Sequence, residues 1–433
     1  MPLTRVLRIG LRQFAAGMLS VLTLGVLNRV MKVEFGLNLT LVSLVIGIHY
    51  FAAFVAIPLG HRSDRRPWRG YYRTPYILFG AGLTALTTAL APFAAFLLAR
   101  TGGSIPAAIV AGALFLLMGT GMYVAGTAYL SLITDLTEEE ERGRVVAITW
   151  SMMMVGILAG VFLTIQMMSH YTPEGLVGLF LVMSIVLMGL TVVSIWGQER
   201  RASVQRVGQA LHLGQGVRVV MASHQARSFF VFLFLGIFFQ FVQQMTLEPF
   251  GGDVFSLPVK ETTLFNAYQM VGTLLGMGLS GAWVVRRLGK KKTTAVGSLV
   301  AGIAFASLTL ASSGEHLILV RPAILAIGFG MGVFTVGGLS LMMDFTVQQQ
   351  VGLFMGAWTL AQALANGLGS VGGGALHDLG LTLFGSEAGA YALVFGVEAL
   401  GSLAILGLLF RVDVRRFRSE VDELSWQALV DAG

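Results

Sequence analysis

Two ionisable side chains stand well inside long apolar runs of the chain and are the first candidates for chemistry. His49 lies in the apolar run over 39–59, and Glu398 lies near the middle of the run over 389–410. A charge at the centre of a membrane costs at least about 2.5–3.5 kcal/mol. We therefore expect His49 either to act as a ligand or to stay neutral and hydrogen-bonded to a nearby hydroxyl or carbonyl. We expect Glu398 to be protonated or paired, either in a functional contact or in helix packing.

A second group of residues has the types and spacing of a charge cluster that holds one conformation. Its members are Gly60, Asp64, Arg65, Asp135, Arg142, Arg144 and Asp344. A glycine allows two helices to come close, and an aspartate can cap a neighbouring helix or pair with an arginine. Such a cluster would keep one conformation shut and release it in another. The alternative is that these residues only set the orientation in the membrane.

A third group stands at the end of the first apolar run. Asn28, Arg29 and Glu34 follow one another closely there. Arg29 and Glu34 are expected to form an interfacial ion pair that fixes the hairpin between the first two apolar runs.

Composition decides which elements position these residues. Of the 433 residues, 55% are hydrophobic and only 12% are charged, whereas soluble domains carry about 25% charged residues. The mean hydropathy is +0.77. The chain contains 55 glycines, which favour close helix packing within a membrane. Since the apolar runs are long and continuous, they predict a helix bundle rather than a β-barrel.

Runs of about 20 apolar residues are long enough to cross the hydrocarbon core of a membrane. The sequence predicts an all-α polytopic protein with twelve transmembrane helices. The predicted spans are 12–28, 39–59, 76–98, 105–134, 145–168, 175–196, 228–247, 262–285, 293–312, 318–343, 352–374 and 389–410.

The basic residues fall mostly on one side of this topology. The other side receives only Arg29, Lys32, Arg100, Lys260 and Arg321. The positive-inside rule places the rich side, with both termini, in the cytoplasm. The rich side includes Arg5, Arg8 and Arg12, which are counted with the N-terminus. Because the charge of +7 is spread over many loops, it argues against nucleic-acid binding.

The chain divides at its longest polar stretch into two related halves. Asp135 and Asp344 end spans four and ten, and Gly143 and Gly352 follow each of them at the same spacing. Two six-helix, pseudo-symmetric halves are expected of the major facilitator superfamily, and the Gly-x-x-x-Asp-Arg loop resembles a motif of that superfamily. The predicted parts are a first half 1–196, a cytoplasmic linker 197–227, a second half 228–410 and a cytoplasmic tail 411–433.

Several separated motifs make the resemblance more specific. They are Leu27-Asn28-Arg29-Val30-Met31-Lys32-Val33-Glu34, Arg73-Thr74-Pro75-Tyr76-Ile77, Arg142-Gly143-Arg144-Val145-Val146-Ala147, Gly352-Leu353-Phe354-Met355-Gly356-Ala357-Trp358 and Tyr391-Ala392-Leu393-Val394-Phe395. Together they resemble the PucC/LhaA family, the bacteriochlorophyll-delivery branch of the superfamily. The resemblance implies a light-harvesting complex assembly factor that binds, delivers or guides bacteriochlorophyll or chlorophyll in the inner or intracytoplasmic photosynthetic membrane of a bacterium. Its implied partners are antenna polypeptides, with pigment-synthesis enzymes or the reaction centre as further candidates.

In this superfamily, spans one, four, seven and ten line a central cavity, and here their middles are expected to lack Asp, Glu, Lys and Arg. Hydroxyls, amides and phenylalanines suit a large amphipathic ring better than a sugar or an ion, although ordinary helix packing explains them equally well. His49 is the candidate axial ligand of a pigment magnesium. The amides of Gln240, Gln243, Gln244 and Gln362 are further candidates.

No nucleophile–base–acid set and no cysteine occurs in the sequence, so an enzyme and an independent metal site are not predicted. Two alternatives to pigment delivery remain open. One is a secondary transporter of a small hydrophobic solute, and the other is a scaffold that holds antenna subunits and moves nothing.

Overall fold

The computed structural model describes residues 1–54, 70–137, 139–199, 224–314, 316–344, 351–413 and 416. These residues are almost entirely helical. In chain order the helices are α1 (Leu3–Ser20), α2 (Leu39–Gly47), α3 (Thr74–Arg100), α4 (Ile105–Leu136), α5 (Glu139–Met167), α6 (Pro173–Ile195), α7 (His224–Val242), α8 (Leu247–Asp253), α9 (Val259–Leu279), α10 (Val285–Leu288), α11 (Lys290–Ser313), α12 (Leu317–Asp344), α13 (Val351–Phe384) and α14 (Glu387–Arg411).

The first helical segment is longer than the sequence predicts. The first helical segment begins with α1 at Leu3 and continues beyond Ser20 to Glu34. Its second part contains widened π-helical turns at Val21–Leu27 and Val30–Glu34. The predicted start of the first span, at residue 12, is therefore too late. Arg12 lies inside α1 with only 9% of its surface exposed, because neighbouring helices cover a side chain that the count of basic residues groups with the N-terminus.

Nine helical segments of the described residues are long and apolar enough to cross a membrane. They are Leu3–Glu34, Thr74–Arg100, Ile105–Ile133, Ile148–Met167, Pro173–Ile195, Arg227–Asp253, Lys290–Ser313, Leu317–Leu341 and Glu387–Arg411. A shorter apolar helix covers Leu39–Ala52. An all-α polytopic membrane protein is thereby confirmed, while the exact count of twelve spans stays a prediction.

Helix ends follow the local sequence. The Thr172 side chain accepts a hydrogen bond from the Gly175 N–H at 3.1 Å, and Asn38 does the same for Leu41 at 3.1 Å. These are ordinary N-cap contacts. Gly289 has a φ of 78° between α10 and α11, a conformation that glycine adopts without a steric penalty.

Glycines let helix backbones approach closely, as the composition predicts. A Cβ placed on Gly156 in α5 would lie 2.0 Å from the Phe14 carbonyl oxygen in α1. A Cβ on Gly297 in α11 would lie 2.4 Å from the Phe334 backbone nitrogen in α12. Larger residues at these positions would force the paired helices apart.

The chain forms two compact units. The first comprises Met1–Gln209, Gln244–Met270 and Ser370–Glu387, and the second comprises Ala210–Gln243, Val271–Gly369 and Ala388–Gly433. A core of the first unit contains Ile9, Ile77, Tyr129 and other buried side chains of α1, α3 and α4. The core of the second contains Phe229, Phe232 and Phe334 with side chains from α14.

Candidate functional site

A cavity of about 260 Å³ lies within the first unit. Helices α1, α3, α4, α5 and α6 and the short helical turn Ile48–Ala52 contribute its walls. Most of its lining is apolar or aromatic. The polar side chains that bear on its chemistry are Arg12, Gln13, His49, Tyr50 and Tyr129.

His49 lines this cavity and is held in one orientation. Its Nδ1 donates a hydrogen bond to the Ile46 carbonyl oxygen at 2.6 Å, and its ring lies 4.0 Å from the Tyr50 ring between centroids. A Cβ on Gly119 of α4 would lie 2.3 Å from the His49 carbonyl oxygen, so α4 presses directly on this turn. With the proton on Nδ1, the Nε2 lone pair is available, which is the arrangement of most metal-ligating histidines.

Arg12 is a buried cation on the wall of the same cavity. Its Nη1 donates a hydrogen bond to Gln13 Oε1 at 2.9 Å, and its guanidinium carbon lies 5.0 Å from the centre of the Tyr129 ring. Tyr129 is itself fixed by donating its hydroxyl to the Ile9 carbonyl oxygen at 2.9 Å. In the described part of the chain no carboxylate lies within 4.0 Å of Arg12.

A polar cluster joins the first residues of α3 to the end of α6. Glu199 accepts hydrogen bonds from the backbone N–H groups of Tyr72 at 2.7 Å, Arg73 at 3.0 Å and Thr74 at 2.7 Å. A carboxylate at a helix N-terminus satisfies unpaired donors and complements the helix dipole. Arg73 also pairs with Asp135 at 3.1 Å. The sequence placed Glu199 in a linker and carries no local signal for this contact.

The ion pair predicted between Arg29 and Glu34 is present, with Nη1 and Oε1 2.7 Å apart. The π-helical turn Val30–Glu34 brings residues five apart to one face, which explains the pairing. Arg29 Nη2 also donates to the Leu257 carbonyl oxygen at 2.8 Å, and Asn28 donates to the Met245 carbonyl oxygen at 2.8 Å. Both residues therefore attach the first helical segment to the stretch 244–270.

A further group, here termed the Lys32 cluster, comprises Lys32, Asp253, His377, Asp378 and Glu387. Lys32 Nζ lies 2.8 Å from Glu387 and 3.7 Å from Asp253. The fully buried His377 ring lies 3.0 Å from Asp378 through Nδ1 and 2.8 Å from Glu387 through Nε2. Because an ionised carboxylate only accepts hydrogen bonds, this ring donates from both nitrogens.

Ligand atoms of Asp253, His377 and Glu387 come within 4.8 Å of one another, the separation that a metal ion requires. The Lys32 ammonium already contacts two of these carboxylates. Lys32 supplies positive charge that a metal would otherwise bring, and the doubly donating His377 ring supplies more, so the geometry describes an ion-paired cluster.

Comparison with protein families gives the identity. A family model described as PUCC protein matches residues 26–417. The chain belongs to this family. The resemblance to the PucC/LhaA family is thereby confirmed. The chain is 33% identical over 405 residues to a protein of Rhodobacter capsulatus named Bacteriochlorophyll synthase 44.5 kDa chain, covering 92% of each. It is 30% identical to Protein PucC of the same organism, covering 95% of this chain and 92% of that one.

Solved structures show the fold of this PUCC family member. A nucleoside transporter, NupG, superimposes with a TM-score of 0.70 at 13% identity, covering 94% of this chain and 99% of the other. A D-xylose–proton symporter superimposes with a TM-score of 0.69 at 16% identity, covering 92% and 96%. The fold is that of major facilitator transporters, and the chain is a bacterial membrane protein.

The candidate amide ligands divide between the two units of this PUCC family member. Gln244 belongs to the first unit with His49, whereas Gln240, Gln243 and Gln362 belong to the second. Gln240 and Gln243 are buried, and Gln243 begins a short helical turn that separates α7 from α8.

Glu398 is fully buried within the second unit. Its Oε1 accepts a hydrogen bond from the Gln243 backbone N–H at 2.6 Å. A contact with a neighbouring helix, one of the two roles expected from sequence, is present. The side chain has no surface to offer to a partner protein.

The expectation that the middles of the cavity-lining spans lack Asp, Glu, Lys and Arg stays a prediction. Arg12 and Glu248 are among the charged residues that lie within these spans but away from their middles. Arg12 lies within Leu3–Glu34, and Glu248 lies within Arg227–Asp253. Glu248 is 4% exposed and accepts a hydrogen bond from the Asn266 amide. The predicted seventh span ended at residue 247, one residue before Glu248, so the sequence pattern placed Glu248 outside the span. Contacts with distant residues, which hydropathy does not report, stabilise both side chains in these buried positions.

Part of the predicted charge cluster falls outside the described residues. This applies to Gly60, Asp64 and Arg65, and to the side chains of Arg142, Arg144 and Asp344. Asp135 is described, and its partner there is Arg73.

Proposed function

We propose that this protein is a non-enzymatic assembly factor that binds bacteriochlorophyll or chlorophyll and guides it to light-harvesting antenna polypeptides. The observation that carries the proposal is His49, which lines a cavity between apolar helices and donates a hydrogen bond from Nδ1 to the Ile46 carbonyl oxygen. Membership of the PUCC family and the names of its relatives support a role in the photosynthetic apparatus. Pigment-synthesis enzymes and the reaction centre are further proposed partners.

The residue types that line the cavity are suited to binding a magnesium tetrapyrrole. An imidazole nitrogen can serve as the axial ligand, and an apolar, aromatic wall suits the ring. The volume of about 260 Å³ is below the roughly 300–1,000 Å³ of pockets that enclose drug-sized ligands. In the conformation described, the cavity therefore has room for only part of a macrocycle.

The proposed topology has twelve spans in two six-helix halves, both termini in the cytoplasm and a location in the inner or intracytoplasmic photosynthetic membrane. The basic residues favour this orientation. The clusters around Asp135 and Asp344 are proposed to stabilise one conformation from the cytoplasmic side. The Arg73–Asp135 pair and the Glu199 cap, which tie α3, α4 and α6 together, support this role.

A secondary transporter of a small hydrophobic solute is the second candidate. The fold shared with transporters favours it. It predicts gradient-dependent uptake into proteoliposomes, which an assembly factor would not catalyse. A scaffold without ligand is the third candidate, and it predicts that antenna polypeptides co-purify with the protein while His49→Leu leaves the absorbance spectrum unchanged.

The test is the absorbance spectrum of the protein purified in mild detergent from a pigment-producing bacterial host, with antenna polypeptides followed by immunoblot. A tetrapyrrole band is expected with the native protein and with His316→Leu, a control at an exposed histidine. His49→Leu should lose most of the band and keep the antenna polypeptides. A spectrum without such a band, and no antenna polypeptide in the native preparation, would overturn the proposal.

A further inference from the structure

One positive charge of the first helical segment is buried beside the cavity. The Arg12 guanidinium stays protonated at any physiological pH, and only 9% of this residue is exposed. Taking such a charge out of water costs several kcal/mol unless hydrogen bonds and an opposite charge replace the water. The surroundings of Arg12 should therefore contain a counter-charge.

The described residues do not contain that counter-charge. Arg12 has one hydrogen bond to the neutral Gln13 amide and one face on the Tyr129 ring. A guanidinium has five N–H donors. The other two buried cations of this helical segment differ, because Arg29 pairs with Glu34 and Lys32 pairs with Glu387.

The unsatisfied side of Arg12 belongs to the cavity wall, and there is space beside it. A Cβ on Gly126 in α4 would lie 3.8 Å from Arg12 Nη2 and would meet no closer atom. A glycine at this position keeps open the volume next to the guanidinium. A planar group of three heavy atoms fits easily within about 260 Å³.

We propose that Arg12 and Gln13 form a subsite for an ionised carboxylate carried by an otherwise apolar ligand. A guanidinium presents paired donors that match a carboxylate, and the apolar remainder of the cavity selects against small inorganic anions. This rests on the proposed function, and it names the ligand class for the same cavity. The preferred tetrapyrrole is the acid with a free propionate, and the esterified pigment is bound less tightly.

The test compares two probes that differ only in the charge. Zinc pheophorbide, a tetrapyrrole acid, and its methyl ester are titrated into the full chain in lipid nanodiscs, with binding followed by fluorescence. Because a hydrogen-bonded charge adds about 10- to 100-fold in affinity, the acid should bind by that factor more tightly than the ester. The preference should fall to about one in Arg12→Gln and should persist in Arg100→Gln, a control at an exposed arginine.

A second variant keeps the guanidinium and removes the space. Gly126→Ala adds one methyl group at an ordinary contact distance, so the protein should fold normally. It should weaken acid binding more than ester binding. Equal affinity of the two probes for the native chain, or a preference that survives in Arg12→Gln, would overturn the subsite.

A third probe separates this inference from the proposed function. If neither tetrapyrrole binds, pigment binding fails and decanoate, a carboxylate without a ring, decides the subsite. Decanoate binding that is lost in Arg12→Gln supports the subsite, and no decanoate binding overturns it.

Discussion

Two cations of the first helical segment, Arg12 and Lys32, are equally buried but differ in what neutralises them. Each is 9% exposed. Lys32 contacts the carboxylates of Glu387 and Asp253, whereas the described neighbours of Arg12 are an amide and an aromatic ring. Because its counter-charges belong to the protein, Lys32 is expected to stabilise the folded state. No such counter-charge lies beside Arg12 in the described part of the chain, which leaves its guanidinium available to a ligand. Substitutions of Lys32 and Arg12 should therefore change the free energy of unfolding by different amounts.

The largest effect is expected for Lys32→Met. The substitution leaves the carboxylates of Asp253, Asp378 and Glu387 with His377 as their only cation in the cluster. Breaking a buried pair by removing one partner costs about 3–5 kcal/mol. Unfolding by SDS in mixed micelles measures the loss. Lys260→Met, at an exposed lysine, should change the free energy of unfolding by less than about 0.5 kcal/mol.

A double-mutant cycle on Lys32 and Glu387 comes next. Glu387→Gln alone removes a contact to Lys32 and one to His377. Combined with Lys32→Met, the two changes should couple by about 1–3 kcal/mol. If the two single changes in the free energy of unfolding simply add, the 2.8 Å contact between Lys32 and Glu387 contributes nothing to stability. The difference proposed between Lys32 and Arg12 would then be weakened.

A smaller effect is expected for Glu34→Gln. The Glu34 side chain is 29% exposed, and Arg29 keeps its hydrogen bond to Leu257. The loss in the free energy of unfolding should be about 1 kcal/mol, at the upper end for a partly exposed pair. A value as large as that for Lys32→Met would mean that burial of the cation, and not pairing, dominates.

The smallest effect is expected for Arg12→Met. Without a ligand, the variant removes a buried charge that lacks a carboxylate and keeps most of the apolar stem. Its free energy of unfolding should change by less than about 1 kcal/mol, on the stabilising side. A loss of 3 kcal/mol or more would reveal a strong internal partner and would remove the basis of the contrast.

Local sequence patterns predicted the transmembrane helices better than they predicted the contacts between distant residues. The runs over 105–134 and 175–196 correspond to Ile105–Ile133 and Pro173–Ile195, because hydropathy reports what a continuous segment requires of its solvent. The Arg29–Glu34 pair was predictable for a related reason, since its partners are close in sequence and share one helical face. Glu398 was correctly placed inside a span.

Long-range polar contacts were beyond local patterns. His377 is buried in the Lys32 cluster, where Lys32 contacts Glu387 from far along the chain. Arg12, at the predicted start of the first span, was counted with the N-terminal charges for the same reason. No property of the first 20 residues indicates that Tyr129 will lie against it. Whether a buried cation has a carboxylate partner depends on packing between distant segments of the chain. Hydropathy, which is a property of one continuous segment, does not report such packing.

The widened turns of the first segment bear on which changes in chain length the protein can tolerate. A π-helical turn resembles an α-helical turn with one residue inserted. Loss of a single residue within Val21–Leu27 can therefore be absorbed by reversion to a regular turn, leaving the flanking side chains in register. The same deletion in Leu3–Ser20 would rotate one flank against the other by about 100°. Natural insertions and deletions near the N-terminus of this family should therefore concentrate in the widened turns.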